Sequence, residues 1–382
     1  MHPKAPAPSA VFKDDHMTHP PDISRPRCAE LSQSSRVSHP AVSRRTVLGL
    51  ASAVPLLLAG GCAPGADREG LRPDGSLRVA TYITPGYVDV FPNLELFNSV
   101  VDAGIGDRTV DFFGSGALLN AEQLVPGMLR GVTDVGFQTS SYVSTSFPIL
   151  GAAELPFVND GFEQLSRALA PESEFSRLVN TQLRPKGIVN LGSVPFTLQW
   201  LYTVDRPVER PEDLRGLRIR AAGHVEGATV KALGAAPVSM SSGELYEALE
   251  RGTIDGMVAY PGTVISRGLE DVLGYAVPGH FGGYSMDAYA NVRWLEGTSG
   301  PVREALHEAA AEYVPNGIDL MLRVEEEESI PIIEESRIEI LRLDEAQTDR
   351  FRDATASVVD WWRSTVGDDE LADRALTYVK EA

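Results

Sequence analysis

Hydrophobic and polar positions along residues 77–137 follow a repeating order of short apolar runs and amphipathic stretches. Three apolar runs are closed by residues that favour turns or helix starts, at 77–82, 109–113 and 134–137. Between them, apolar residues recur at helical spacing over 94–101 and 120–130. This order predicts βαβ units and a largely parallel sheet.

The same order returns in the second half of the chain. Apolar runs predict strands at 217–220, 237–240 and 253–258. Helical spacing occupies 226–233 and 243–251, and each stretch ends at a glycine. We therefore expect two α/β lobes, each with its own sheet. Two such lobes place a ligand between them, at the carboxyl ends of strands, in a cleft that closes about a hinge.

A third pattern covers residues 301–341, which have helical spacing over an unusual length. Pro315 and Pro331 lie inside this tract and predict kinks or breaks, since proline removes one helical hydrogen bond. The acidic run at 325–328 is typical of a solvated helix face.

The N-terminal segment has the pattern of an export signal. Ser43, Arg44 and Arg45 begin a twin-arginine pattern, and a weakly apolar stretch from 47 to 59 follows, too short to span a bilayer. The residues before Cys62 resemble a lipobox, with the leucine one place further from the cysteine than usual. We expect a disordered extension and signal over 1–61, lipidation of Cys62, and a tether over 62–76. The mature protein would then be anchored on the outer face of the cytoplasmic membrane.

Composition and charge narrow the class of partner. The chain has 382 residues, of which 43% are hydrophobic and 23% charged, which suffices for a sizeable core. Residues 1–61 hold seven of the 34 Lys and Arg and four of the 53 Asp and Glu, so the remainder has a formal charge of −22. Such a body repels nucleic acid and anionic lipid, and neither is an expected partner surface. The only two cysteines, Cys28 and Cys62, exclude a disulfide framework.

Residue patterns typical of catalysis are missing from the sequence. The histidines of the body are His224, His280 and His307, and their spacing matches no metal-binding motif. No phosphate-binding loop, nucleophile elbow or dinucleotide fingerprint occurs. We therefore expect a binding protein without a cofactor or a metal site of its own, while assistance of ligand binding by a metal ion stays open. An exported hydrolase on a bilobal scaffold is the alternative from another class.

Several motifs in series resemble the DctP-type solute-binding proteins of TRAP transporters. Residues 211–220 read PEDLRGLRIR, and the resemblance continues through LGAAPV at 233–238 and GTIDG at 252–256. In the first half, RGVTDVG at 130–136 and ELPF at 154–157 match the same family in the same order. The resemblance covers roughly 77–380. ABC-type or TAXI-type binding proteins stay open as alternatives, because they share the fold and the route of export.

This resemblance implies two α/β lobes, with a long C-terminal helix that crosses both. Lobe I would comprise 77–198 plus about 286–325, and lobe II would comprise 199–285 plus about 326–382. It also implies a receptor that delivers a small organic acid to the membrane subunits of a TRAP permease. The identity of the acid stays open between dicarboxylates, 2-oxo acids, sugar acids and other monocarboxylates.

Arg220 is the leading candidate for a ligand-binding residue. A guanidinium at the end of a strand presents a rigid fork of donors that can hold a carboxylate through two hydrogen bonds. A structural ion pair with one of the many acidic residues is the alternative. In the family that the chain resembles, the matching arginine clamps the ligand carboxylate.

Other candidates come from the same resemblance and from strand ends. Trp200 stands where the sialic-acid-binding branch has a second arginine, and Ala259 stands where relatives have a ligand-contacting Asn or Trp; Tyr260, beside it, could offer a phenolic hydroxyl instead. Core packing is the alternative for Trp200. Strand ends and turns of the first lobe add the remaining candidates, with turn or core roles as alternatives: Tyr82, Ser115, Thr139, Ser140 and Phe157.

Overall fold

The computed structural model describes residues 75–382. The predicted signal and Cys62 lie outside the described residues. The strands are β1 Ser76–Thr81, β2 Thr109–Phe113, β3 Val135–Thr139, β4 Ile188–Pro195, β5 Trp200–Thr203, β6 Arg218–Ala221, β7 Ala236–Ser239, β8 Gly256–Ala259, β9 Tyr275–Val277, β10 Ser285–Asn291 and β11 Glu339–Ile340.

The helices that accompany these strands in the described residues are α1 Phe91–Gly104, α2 Leu124–Leu129, α3 Ser140–Ser144, α4 Phe162–Leu169, α5 Glu174–Leu183, α6 His224–Ala232, α7 Leu245–Glu250, α8 Pro261–Ser266, α9 Val292–Gly297, α10 Gly300–Val324, α11 Ile330–Glu335, α12 Glu345–Thr355, α13 Ser357–Val366 and α14 Asp369–Lys380. None of the helices in residues 75–382 has the length and hydropathy of a membrane-spanning segment.

The first sheet belongs to lobe I and has the strand order β2-β1-β3-β10-β4. β1 runs parallel to β2 and β3, whereas β10 lies antiparallel between β3 and β4. Helix α1 covers one face because Leu94, Phe97 and Val101 share one side of the helix, where they are buried. Phe97 meets Phe137 of β3 and Tyr313 of α10 edge-on, at ring-centroid distances of 5.1 and 5.8 Å.

The second sheet belongs to lobe II and has the order β11-β9-β5-β8-β6-β7. β6 is parallel to β7 and β8, and β5 is antiparallel to β8 and β9. The parallel strands follow the predicted α/β order. In each sheet one antiparallel strand, β10 or β5, lies among parallel ones, and each of these is the first strand after the chain crosses from the other lobe.

Two connections between the sheets run side by side. Residues 196–199 lead from β4 to β5, and residues 278–284 lead from β9 to β10. The backbone N–H of Phe196 donates to the carbonyl of Tyr284 at 2.8 Å, and that of Gln199 donates to the carbonyl of Gly282 at 3.1 Å. This short paired ribbon is suited to act as the hinge between the lobes.

The long C-terminal helix forms a third connection. Helix α10 continues through a π-helical turn, Glu325–Ser329, into α11, so the helical run extends from Gly300 to Glu335. α10 packs on α1 and β4, while the π-helical turn and α11 pack on α8 of the second lobe. Pro331 is the second residue after the π-helical turn. The predicted break is therefore a local change of helical pitch, which accommodates the missing N–H of the proline.

The C-terminal helices correct one predicted boundary. The sequence prediction assigned all of 326–382 to lobe II. In the structure α14 packs on lobe I and α13 packs on both lobe I and α6 of lobe II, and Trp362 and Val379 share a core with Leu165 and Phe175. Trp362 Nε1 also donates to the carbonyl of Pro148 at 2.7 Å. The apolar spacing of these helices predicts that one face is buried, but it does not identify the surface that the face covers.

Candidate functional site

A small cavity lies between the two sheets, and both lobes contribute its walls. Its volume is about 20 Å³, measured as the space open to the centre of a water molecule. Side chains from the two lobes therefore meet directly across the cleft. The lining residues are Tyr82, Ile83, Tyr87, Thr139, Tyr142, Phe196, Arg220, Ala222, Ser242, Tyr260, Thr263 and Tyr284.

Arg220 lies near the carboxyl end of β6, between the parallel strands β7 and β8, and is only 3% exposed. Its Nε donates to the carbonyl of Met240 at 3.1 Å, and Nη1 donates to the carbonyl of Val258 at 3.2 Å. Both acceptors belong to the backbone at the ends of neighbouring strands. The sheet therefore fixes the plane of the guanidinium and directs Nη2 into the cleft.

The charge of Arg220 has no carboxylate partner within residues 75–382, where none of the ion pairs shorter than 4.0 Å includes it. Burial opposes the protonated form, but the Tyr142 phenol and the Glu226 carboxylate favour it, and the pKa of Arg220 is raised. The side chain is thus a buried cation held by neutral oxygens. Such a group is costly to bury unless an anion compensates it.

The hydroxyl of Tyr142 crosses the cleft from α3. It accepts hydrogen bonds from Nη2 of Arg220 and from the backbone N–H of Ser242, both at 3.1 Å. A guanidinium N–H and a backbone N–H that converge on one oxygen are donors that bind anions well. Burial raises the pKa of Tyr142, so its phenol stays neutral at physiological pH.

Tyr82 and Thr139 complete the lobe I wall. The Tyr82 hydroxyl and Thr139 Oγ1 are 2.5 Å apart, and the Tyr82 ring meets the Tyr142 ring edge-on at 5.5 Å. Burial raises the pKa of Tyr82 well above its usual value, which keeps this phenol neutral as well. The wall therefore offers hydroxyl groups that can both donate and accept.

Tyr87, Ser242 and Arg267 form a second polar group at the cavity. Tyr87 lies in the loop after β1, and its hydroxyl donates to Ser242 Oγ of lobe II at 3.0 Å. Nε of Arg267 donates to the Tyr87 hydroxyl and Nη2 donates to Ser242 Oγ, each at 3.2 Å. The guanidinium carbon of Arg267 also lies 4.9 Å from the centroid of the Tyr87 ring.

Three aromatic rings from the hinge side close the cavity. Phe196 packs between Tyr260 and Tyr284, at ring-centroid distances of 4.5 and 4.8 Å. Phe196 and Tyr284 belong to the paired hinge segments, and Tyr260 precedes α8. The cavity therefore has an apolar aromatic wall opposite polar groups, the composition expected of a small-molecule site.

Glu226 joins both lobes and the hinge behind the cavity. Its carboxylate accepts from the backbone N–H of Ala222 at 2.6 Å, from Gln199 Nε2 at 2.7 Å and from Ser141 Oγ at 3.1 Å. Ala222 belongs to lobe II, Gln199 to the hinge and Ser141 to lobe I. The residue is 1% exposed, so one buried carboxylate ties the three parts together.

Two further acids lie beside the hinge ribbon, Asp89 buried and Glu325 half-buried. Asp89 of lobe I packs against the backbone of Gly262, where an added Cβ would come within 2.2 Å of Asp89 Oδ2. Glu325, in the π-helical turn, accepts a hydrogen bond from Thr197 of the hinge. Burial raises the pKa of Asp89 to about 6 and that of Glu325 to about 7.

The structure brings four of the predicted residues to the cavity, namely Arg220, Tyr82, Thr139 and Tyr260. Ser140 lies one residue beyond Thr139, and its Oγ accepts from the backbone N–H of Ser285 at 3.1 Å, so it supports the wall from behind. Ser115 is exposed in a loop, where its φ of 57° turns the chain. Ser115 therefore does not reach the cavity.

Phe157, Trp200 and Ala259 also lie outside the cavity lining. Phe157 packs on Phe281, with a ring-centroid distance of 6.0 Å. Trp200 pairs with Ala259 across β5 and β8 and stacks on Tyr202 at 6.1 Å. Successive residues of extended chain point to opposite faces, so Tyr260 faces the cleft while Ala259 packs in the core of lobe II.

The lining or contacting residues that were not predicted include Tyr87, Phe196, Ser242, Thr263 and Arg267. Ser242 follows β7, and the rule that ligands bind beyond the carboxyl ends of parallel strands would have indicated it. Tyr87 follows β1 in the same way. No local pattern marks Arg267, which comes directly after the last residue of α8.

Comparison with known proteins places this geometry in context. The family model described as bacterial extracellular solute-binding protein, family 7 (DctP), matches residues 90–365. A Salmonella typhimurium protein named YiiZ, uncharacterized, is 30% identical over 152 residues, which span 40% of this chain and 46% of that protein. The C4-dicarboxylate-binding periplasmic protein DctP of Rhodobacter capsulatus is 26% identical over 226 residues, or 58% of this chain and 63% of that protein.

A solved structure has the same fold over a larger share of this chain. A TRAP periplasmic solute-binding protein from Ralstonia eutropha, with bound (S)-2-acetolactate, superposes with a TM-score of 0.73 at 22% identity, covering 81% of this chain and 99% of that chain. The prediction of a two-lobed α/β fold with a long helix across both lobes is confirmed. The proteins of this family and these structural neighbours are receptors rather than enzymes.

Proposed function

Because the chain belongs to family 7 of the bacterial extracellular solute-binding proteins, we propose that it is an exported receptor for a small organic acid. The acid binds in the cavity between the two lobes, and closure about the hinge encloses it. The receptor then delivers the acid to the membrane subunits of a TRAP permease.

Arg220 carries this proposal. It is a buried guanidinium without a carboxylate partner in the described part of the chain, and its Nη2 points into the cleft. The Tyr142 hydroxyl occupies the position where that N–H and the backbone N–H of Ser242 converge. A ligand carboxylate oxygen at this position would replace a neutral acceptor with an anionic one, which forms stronger hydrogen bonds with these donors.

The relatives support an acid as the ligand. The Rhodobacter capsulatus protein is named for C4-dicarboxylates, and the Ralstonia eutropha protein holds 2-acetolactate. Both ligands carry a carboxylate. We propose that Tyr82 and Thr139 donate to or accept from the polar groups of the ligand, and that the ring of Tyr260 packs against its carbon skeleton.

Replacement of Arg220 by methionine tests the proposal, with Arg215→Met as the control because Arg215 is exposed outside the cavity. A thermal-shift screen of the full chain against organic acids first identifies a ligand, and calorimetry then measures its Kd. We expect Arg220→Met to weaken binding by about 2–5 kcal/mol, since truncation leaves the ligand carboxylate buried and unpaired. Arg215→Met should leave Kd unchanged. An Arg220→Met protein that binds with normal affinity would contradict the proposal.

Membrane attachment is a separate part of the proposed function. The twin-arginine pattern at 43–45 and the lipobox-like residues before Cys62 support export followed by acylation of Cys62. Cell fractionation tests this part. Cys62→Ser should move the protein from the membrane fraction to the soluble fraction, whereas Cys28→Ser should have no effect. A Cys62→Ser protein that stays with the membrane excludes the anchor at this residue.

A further inference from the structure

Arg267 is a second guanidinium at the same cavity, although it was not among the predicted site residues. It follows α8 directly, and its Nε and Nη2 donate to two hydroxyls that line the cavity, those of Tyr87 and Ser242. These contacts place its cationic end behind the lining from the lobe II side.

Like Arg220, Arg267 donates to neutral oxygens, although its side chain is half-buried where that of Arg220 is buried. Among the ion pairs shorter than 4.0 Å in residues 75–382, none includes Arg267. Its observed acceptors are two neutral hydroxyls, which use two of the five N–H groups that a guanidinium carries. The cavity therefore has two cations at its border, and its lining contains no carboxylate.

Ser242 connects the two guanidinium groups. Its backbone N–H donates to the Tyr142 hydroxyl, which also accepts from Arg220, and its Oγ accepts from Arg267 and Tyr87. The chain of contacts runs from Arg220 through Tyr142 and Ser242 to Arg267. The two cations thus act on one small polar space from different directions.

We propose that Arg267 is a specificity-determining residue that selects acids with a second anionic group. This inference rests on the proposed function of the cleft. Arg220 holds one carboxylate of the ligand, and Arg267, with Tyr87 and Ser242, holds the other. A monocarboxylate of the same length would place a methyl group beside Arg267, leaving this cation with its two hydroxyls alone.

A purely structural role for Arg267 makes a different prediction. As a contact between the lobes, it would stabilise closure around every ligand equally. Loss of Arg267 would then weaken the binding of monoacids and of diacids by the same factor. The ratio of the two affinities therefore separates recognition from closure.

The experiment uses matched pairs of acids with the full chain: succinate with butyrate, glutarate with pentanoate, and adipate with hexanoate. Calorimetry gives Kd for the unmodified protein, Arg267→Met, Arg267→Lys, Arg220→Met and the control Arg215→Met. We expect the unmodified protein to prefer one diacid over its monoacid by about 10- to 100-fold, the range of a hydrogen bond to a charged group.

Arg267→Met should remove most of that preference by weakening the binding of the diacid, while the Kd of the monoacid changes by less than about threefold. Arg267→Lys should keep part of the preference, because it retains the charge without the fork. Equal weakening of both acids by Arg267→Met would overturn the inference in favour of a closing contact. A monoacid that binds the unmodified protein as tightly as its diacid would also overturn it.

Failure of the proposed function gives a different result. If Arg220→Met binds the acids as the unmodified protein does, or if the unmodified protein binds none of them, the cleft is not a site for these acids, and the inference falls with it. In another outcome, Arg220→Met binds neither acid of a pair while Arg267→Met leaves the ratio of their two Kd values unchanged. That result overturns only the inference about Arg267.

Discussion

The cleft and the hinge are both buried and polar, but they carry opposite charge. The cleft holds two guanidiniums, Arg220 and Arg267, among hydroxyl groups. The hinge holds two carboxylates, Asp89 and Glu325, and no Lys or Arg of the described residues forms an ion pair with either. Asp89 Oδ1 has no hydrogen-bond partner among the described residues.

The difference shows two ways to compensate a buried charge. A guanidinium cannot lose its proton at physiological pH, so the buried cation of the cleft, Arg220, must be compensated by an anion, while Arg267 is half-buried and keeps access to water. A buried carboxylate can instead take up a proton and become neutral. We therefore expect the cleft to respond to acids in solution and the hinge to respond to pH.

The largest expected effect is a pH dependence of stability that comes from the hinge. The folded pKa values of Asp89 and Glu325, about 6 and about 7, lie above their ordinary values of 3.8 and 4.5. The folded state therefore binds more protons than the unfolded state between about pH 4 and pH 7. Stability is full below this window and is lost as pH rises through the folded pKa values, by on the order of 3 kcal/mol for each group.

Isosteric neutral variants test this prediction through urea unfolding at pH 5 and pH 8. Asp89→Asn and Glu325→Gln should each be more stable than the unmodified chain at pH 8 and should flatten the pH dependence. Glu95→Gln, at an exposed position of α1, is the control and should leave the slope unchanged. A pH slope that persists unchanged in both hinge variants would remove the contrast between cleft and hinge.

Glu226 gives the second test, because its neutralisation should lower the free energy of unfolding, whereas neutralisation of Asp89 or Glu325 should raise it at pH 8. Its carboxylate accepts three hydrogen bonds, from Ala222, Gln199 and Ser141, so its charge is compensated by donors. In Glu226→Gln, an amide group would face one of these donors, and we expect a loss of about 1–3 kcal/mol in the free energy of unfolding. Urea unfolding at pH 8 measures it beside Asp89→Asn. Stabilisation by both variants would mean that hydrogen bonding does not distinguish these acids.

The parallel parts of both sheets could be predicted from sequence because buried parallel strands are continuous apolar runs. β10 was not predicted as a strand, since it pairs with β3 and β4, which are distant in sequence, and contains the buried Asp287. Pairing at this distance depends on tertiary packing, which a local pattern does not record. The packing of α14 on lobe I and of α13 on both lobes was missed for the same reason.

The candidate site was predictable in part. Arg220 was found because it ends a recognisable strand and motif, and Tyr82 and Thr139 because they follow or end strands. Tyr87 and Ser242 were missed although both follow predicted strands, and no sequence pattern indicates that these residues, 155 positions apart, share a hydrogen bond. Trp200 was assigned to the ligand by analogy, whereas the alternation of side chains along β5 places it outside the cavity lining.

Tyr260 lies between the two regions and gives the smallest expected effect. Its ring lines the cavity, but its hydroxyl is buried beside Asp89 and forms no hydrogen bond of normal geometry. Tyr260→Phe removes a buried polar atom, so the free energy of unfolding should change by only about 0–1 kcal/mol.

The phenol of Tyr260 lowers the pKa of Asp89 against the larger effect of burial, so loss of the phenol should move the pH midpoint of stability upward. Ligand affinity should stay within about twofold, because the aromatic wall is retained. Calorimetry and urea unfolding across pH measure both quantities. A tenfold loss of affinity with an unchanged pH midpoint would instead assign the Tyr260 hydroxyl to the ligand.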